Sequence, residues 1–192
     1  MADLTRTQQR KLIARVFEQI VIHRDPYSQH HGTHTSHIAN NFAKELELSA
    51  TERTLLRVGA EIHDLGKLVI AENVINKAGD LSPSEYAMIQ SHSTFGFKIA
   101  QALELGPTIE EIIYLHHERW DGLGYPNGLK GNETPIHARI VQISDIIDAL
   151  MTDRSYRSAH PIQKAIAIMR DEEFKYDPEL LRLLIRNVKK WI

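Results

Sequence analysis

The segment His116-His117-Glu118-Arg119-Trp120-Asp121-Gly122-Leu123-Gly124-Tyr125-Pro126 decides how the rest of the chain is read. Before it, residues 108–118 carry apolar positions at helical spacing and run directly into two adjacent imidazoles. After it, Gly122, Gly124, Pro126, Gly128 and Gly131 crowd into residues 120–134, which no helix or strand tolerates. A loop of that length inside a compact domain usually has a function. Helical spacing resumes over residues 135–151, where Ile136, Ile140, Ile143, Ile147 and Leu150 recur at three- and four-residue steps. Two imidazoles at a helix end suit the C-terminal dipole and equally suit a metal ion. The segment alone leaves both readings open.

Working outward, the pattern stays helical. Leu12, Ile13, Val16, Phe17, Ile20 and Val21 mark an amphipathic first helix, read as a dimerisation helix, the stub of a longer regulatory arrangement or part of the core. Asp25-Pro26 breaks it, and Ile38, Ala39, Phe42, Ala43 and Leu46 form the stripe of a second helix. Ser49 with Glu52 is a capping box for a third, carrying Leu55, Leu56, Val58 and Ile62 and predicted to end near Gly66. Ser82-Pro83-Ser84-Glu85 starts another helix. Further helices are expected at about residues 95–105 and 108–118, after Pro161, and after Asp177-Pro178. No stretch alternates like a strand, so the fold class is all-α, a helical bundle. Residues 1–24 are expected to be an N-terminal helix leading into a domain of residues 25–192.

Composition narrows the chemistry. The 192 residues contain no Cys and 11 His, with 23 Lys+Arg against 25 Asp+Glu for a net charge of −2. Without thiols there is no disulfide scaffold, thiolate zinc site or catalytic Cys. A metal centre would be built from imidazole and carboxylate, which suits Fe, Mn, Ni or Zn. The charge argues against sequence-independent binding of duplex nucleic acid. No apolar run reaches the roughly 18–20 residues that span a bilayer, and residues 1–11 lack a signal-peptide core, so a cytoplasmic protein is expected.

The chemistry-bearing residues are scattered. His63-Asp64 is followed by Lys67, placed to contact a phosphate near a metal. Asp145 lies in the apolar helix of residues 135–151 with Asp148 one turn on; buried there, it needs a partner, a metal or an arginine such as Arg139 or Arg154. Singly, each residue has an ordinary structural explanation. Together His31, His63, Asp64, His92, His116, His117 and Asp145 come from five segments, and convergence of helices on one point is how a bundle builds an interior metal site.

His63-Asp64-Leu65-Gly66-Lys67, the segment from His116 to Pro126, and Ala138-Arg139-Ile140 with Asp145 and Asp148-Ala149-Leu150 closely resemble the HD-GYP subgroup of HD-domain phosphohydrolases, over about residues 25–181. The resemblance implies an HD-domain helical bundle with an interior metal centre and a Gly-rich loop beside the pocket. It implies a phosphodiesterase that hydrolyses cyclic di-GMP to linear pGpG and on to GMP, with a metal-activated hydroxide as nucleophile. The implied metal ligands are His31, His63, Asp64, His92, His116, His117 and Asp145. His31 is favoured over His30 and His34 by lying six residues after Asp25 and 32 before His63. Asp64 would bridge and, with Lys67, form the catalytic pair; Lys67, Tyr125, Arg154 and Arg157 would contact substrate. Tyr27 stands where three-metal members carry a glutamate, so two divalent ions are expected, Fe or Mn ahead of Ni or Zn. The implied partners are a cyclic dinucleotide, GGDEF-domain proteins docking on the Gly-rich loop, and a second copy in a homodimer; neither duplex nucleic acid nor membrane is expected. The alternatives are a catalytically weak dinucleotide-binding or docking module, and a hydrolase of a related cyclic nucleotide such as cyclic GMP-AMP.

Overall fold

Two side chains fix where the central helices begin. Ser49 Oγ accepts a hydrogen bond from Glu52 N–H at 3.2 Å while the Glu52 carboxylate accepts Ser49 N–H at 2.9 Å. Ser82 and Glu85 repeat the arrangement, with Pro83 at the first helical position. Each box satisfies backbone donors that the first helical turn leaves without partners. In the computed structural model, which describes residues 5–24, 30–77, 79–153 and 158–191, the helices are α1 (Arg6–Arg24), α2 (His31–Glu45), α3 (Ala50–Glu61), α4 (Glu72–Ile75), α5 (Pro83–Ala102), α6 (Pro107–Leu115), α7 (Ile136–Met151), α8 (Ile162–Asp171) and α9 (Pro178–Trp191). Among the described residues there is no β-strand, only an isolated antiparallel bridge between Asp121 and Lys130 across the Gly-rich loop. No helix of the described residues is long and apolar enough to cross a membrane. The all-α reading holds.

Two boundaries and one buried face differ from the sequence reading. α3 stops at Glu61 rather than near Gly66; Ile62 leaves helical geometry and a 3-10 turn spans Leu65–Val69. Gly66 is there for close approach, because a Cβ at that position would stand 1.8 Å from the His92 carbonyl oxygen. The turn thus lies directly on α5. The helix that starts at Ser82 and the one expected at about residues 95–105 are a single helix, α5, through residues 83–102, with His92 in its middle. The supposed apolar stripe of α1 is split: Ala14 and Phe17 are buried, whereas Leu12, Val16 and Ile20 are 51%, 52% and 43% exposed.

Two apolar clusters hold the bundle. The larger joins α2, α3, α6, α7, α8 and α9 through Phe42, Leu56, Ile112, Ile143, Met169 and Leu184. Trp191 closes it, its ring edge-on to Phe42 at 4.7 Å. The smaller joins Ala14 and Phe17 of α1 to Ile62, Leu65, Ala100, Ile109 and Ile113. Through these two side chains α1 packs on the bundle. Arg139, suggested as a partner for Asp145, is instead paired with Asp177, which caps the start of α9 by accepting from Glu179 N–H and Leu180 N–H.

Candidate metal centre

Five elements bring the seven expected ligands to one place. α2 contributes His31 as its first residue, the turn after α3 contributes His63 and Asp64, and α5 contributes His92. The end of α6 supplies His116 and His117, and α7 supplies Asp145. Their donor atoms fall into two groups, Asp64 with His92, His116 and His117, and His31 with His63 and Asp145, each within 4.8 Å of one another. Asp64 stands between them. Its Oδ1 is 3.4 Å from His92 Nε2, and its Oδ2 is 3.5 Å from His63 Nε2 and 2.6 Å from Lys67 Nζ.

The donor chemistry fits divalent cations. His63 Nδ1 lies 2.8 Å from the Ala60 carbonyl oxygen, His92 Nδ1 2.6 Å from that of Ile89, and His116 Nδ1 3.0 Å from that of Ile113. A carbonyl only accepts, so each Nδ1 carries the proton and each Nε2 presents a lone pair inward. His92 Nε2 and His116 Nε2 are then 3.3 Å apart with two lone pairs facing. His63 Nε2 is fully buried without a hydrogen-bond partner. Such an arrangement is unfavourable unless a cation lies among the nitrogens.

Electrostatics separate the two groups. Burial, reinforced by the neighbouring imidazoles, keeps His116 well below the usual histidine pKa; burial likewise lowers His92, and lowers His117 to about 3. These rings are neutral and ready to ligate. Burial also opposes charge on His31, but hydrogen bonds and charge from Asp145 and Asp148 overcome it and raise the pKa to about 9. His31 Nε2 is 3.0 Å from Asp145 Oδ1 and Nδ1 is 2.6 Å from Asp148 Oδ2. Burial disfavours the Asp64 and Asp145 carboxylates, yet Lys67 and imidazoles for the first, and His31 and imidazoles for the second, hold both well below the ordinary range.

Two residues in this arrangement had no role assigned from sequence. Asp148 orients His31 and also stands 3.3 Å from His34 Nδ1. Its position one turn after Asp145 was the available signal. Glu118, 2% exposed, accepts from the backbone N–H groups of Asn127 (2.7 Å) and Leu129 (2.9 Å) and so folds the Gly-rich loop around itself. Its burial was invisible in a motif that reads as polar.

The loop reaches the centre through Tyr125. Tyr125 N–H donates to the His117 carbonyl at 3.2 Å and its ring stacks on His117 at 4.7 Å. Gly124 permits this, since a Cβ there would stand 2.3 Å from Arg119 N and 2.5 Å from the His117 carbonyl oxygen. Burial raises the Tyr125 phenol, which stays protonated. Tyr125 lines an open cavity of about 350 Å³ with His31, Asp64, Lys67, His92, His117 and Asp145, its other wall being Ile89, Ile146, Ala149 and Leu150. The expectations for Arg154, Arg157 and Tyr27 fall outside the described residues. His30 and His37 do not reach either ligand group.

A family model described as HD domain matches residues 15–180. A 3'3'-cGAMP-specific phosphodiesterase of Vibrio cholerae is 35% identical over 173 residues, covering 90% of this chain and 38% of the relative. A cyclic di-GMP phosphodiesterase of Thermotoga maritima is 32% identical over 184 residues, covering 93% and 49%. The chain thus spans less than half the length of these relatives. Among solved structures, an HDG"Y"P protein from Bdellovibrio bacteriovorus superposes with a TM-score of 0.69 at 26% identity, over 83% of this chain and 52% of that one.

Proposed function

The chain belongs to the HD-domain family, in its HD-GYP type, and from that premise we propose that it is a metal-dependent phosphodiesterase of cyclic di-GMP, yielding linear pGpG and then GMP. One observation carries this reading: the Asp64 carboxylate lies between two His/Asp groups beside a cavity into which Lys67, Tyr125 and residues of both groups open. Two divalent ions, Fe or Mn by preference, would supply water activation and neutralise charge on the scissile phosphate. His31, His63 and Asp145 would hold one and Asp64, His92, His116 and His117 would reach the other.

The chain's own groups have distinct tasks in this proposal. Asp64 spans the two sites with its two oxygens. Lys67 Nζ keeps that carboxylate ionised and places a positive charge at the cavity wall, where it opposes the charge that develops on phosphate oxygens. Tyr125, fixed by its stack on His117, offers an aromatic face and a protonated hydroxyl to the dinucleotide. Arg154 and Arg157 remain proposed contacts to phosphate or guanine.

Selectivity between cyclic di-GMP and 3'3'-cGAMP rests on base contacts that the metal centre does not make; the names of the relatives support both. A second reading, a docking module without turnover, is favoured by Leu123, 75% exposed on the loop, and would engage GGDEF-domain proteins there. Chromatography of metal-loaded protein incubated with each dinucleotide separates these readings. Linear product from wild type and none from Asp64→Ala is expected. Tight binding of both dinucleotides with no product would overturn the phosphodiesterase reading and leave a binding module without turnover.

A further inference from the structure

A cavity of about 780 Å³ lies away from the metal centre and shares no residue with the cavity there. Its floor is apolar, made by Tyr176, Leu181 and Ile185 on and before α9. Around it stand three arginines, Arg170 on α8 and Arg182 and Arg186 on α9, all exposed. Arg182 and Arg186 are one helical turn apart, so their guanidinium groups project from one face and can grip one anion. None of the three makes an ion pair with a described residue, and a single acid, Glu173, faces them from the rim. The chain as a whole carries −2, so this concentration of positive charge is local.

The groove also displays aromatic surface. Phe174 is 54% exposed, and its ring is flanked by the Arg119 guanidinium at 5.7 Å and Lys175 Nζ at 6.0 Å. Trp120 also lines the groove, with the Arg139 guanidinium over its ring at 5.5 Å. A volume of this size with an apolar floor, aromatic walls and a few convergent charges is the composition of a small-molecule site. Aromatic faces beside arginines suit a flat base attached to a phosphate.

We propose that this groove is a second nucleotide site, binding a guanine nucleotide with its base against Phe174 and Trp120 and its phosphate between Arg182 and Arg186. Trp120 gives the site a route to the metal centre. Its backbone N–H donates to the Lys175 carbonyl at 2.9 Å and its backbone carbonyl accepts Gly131 N–H at 3.0 Å, so it anchors both ends of the loop that carries Tyr125. A ligand resting on Trp120 therefore bears on that loop. The choice of GMP and linear pGpG as ligands rests on the phosphodiesterase reading, of which they are products; the groove's preference for an aromatic anion does not.

Calorimetric titration of the metal-loaded protein with GMP, guanosine and inorganic phosphate tests the site, using Asp64→Ala to separate it from the metal centre. GMP binding that survives Asp64→Ala is expected, weakened more than about tenfold by Arg182→Glu/Arg186→Glu and about tenfold by Phe174→Ala. Guanosine and phosphate should each bind at least about tenfold more weakly than GMP. These exposed substitutions should leave the circular dichroism spectrum unchanged. The proposal is overturned if Asp64→Ala abolishes all GMP binding, or if phosphate alone binds as well as GMP irrespective of Phe174. It is equally overturned if the groove variants alter self-association and not GMP binding, which would make the groove a protein interface. Absence of hydrolysis with GMP binding intact would remove the phosphodiesterase reading and leave the groove proposal standing.

Discussion

His92 Nε2 and His116 Nε2 face each other at 3.3 Å, and each ring has already committed its Nδ1 proton to a backbone carbonyl of its own helix. The helices α5 and α6 therefore hold two lone pairs in opposition, and a cation between them converts a repulsion into two bonds. Metal binding should consequently stabilise the fold. With free Mn²⁺ at about 100 times its dissociation constant, the gain is expected to be about 2.7 kcal/mol per site. Differential scanning calorimetry with and without a chelator measures it; an unchanged Tm would remove the metal from this site.

Asp148 is expected to act through His31. Asp148→Ala should weaken metal binding at the His31, His63 and Asp145 group by about 10- to 100-fold while sparing the other group. Asp148→Asn, which still offers an oxygen to His31 Nδ1, should recover part of the loss. Metal titration followed by calorimetry resolves the two sites; equal weakening of both would contradict this role.

Without metal, the pH dependence of stability should have two limbs. His31 has its pKa raised from 6.5 to about 9, so its contribution is complete below about pH 6.5 and is lost as pH rises through 9. His117 has its pKa lowered from 6.5 to about 3, so the folded state resists protonation that the unfolded chain accepts, and stability falls as pH drops below 6.5. The lowered carboxylates of Asp64 and Asp145 act in the same direction at still lower pH. A Tm that peaks near pH 6.5 in chelator is expected, measured by circular dichroism. A Tm still climbing between pH 6.5 and 9 would show that the His31 pairs with Asp145 and Asp148 do not form.

Gly66→Ala should be severe. The new Cβ would meet the His92 carbonyl oxygen at 1.8 Å and Gly96 N at 2.6 Å, both backbone atoms that cannot move without shifting α5. A loss of about 3 kcal/mol or more is expected from such overpacking, with weaker metal binding because His92 is displaced. Urea denaturation measures the first effect and metal titration the second.

Glu118→Gln keeps an acceptor but removes the charge that Asn127 N–H and Leu129 N–H share. The expected cost is about 1–2 kcal/mol, with faster hydrogen exchange confined to the Gly-rich loop. Protection unchanged at Asn127 and Leu129 would mean the loop is held by other contacts.

Much of the candidate metal centre was legible in the chain through its resemblance to a family, helped by a few local signatures. His116-His117 stand at a helix end, Asp145 is a carboxylate inside an apolar helix, and all seven ligands named from sequence lie in the two donor groups. What escaped depends on contacts distant in sequence. Asp148 pairs with His31 across 117 positions, and α3 ends early because the following turn must lie against α5. The exposed Leu12, Val16 and Ile20 read as core-facing only because their spacing is helical; spacing cannot say which side of α1 meets the bundle.

The sequence by itself determined the all-α class and the two capping boxes, since period and caps are properties of neighbouring residues, and its resemblance to a family nominated the candidate ligands. Only the tertiary structure decided that the ligands divide into two groups astride Asp64, that Glu118 is buried to organise the loop, and that Trp120 and three arginines border a second cavity. Those facts arise where helices cross. Which side chains meet there follows from close packing of the whole bundle, and no local stretch of sequence contains that information.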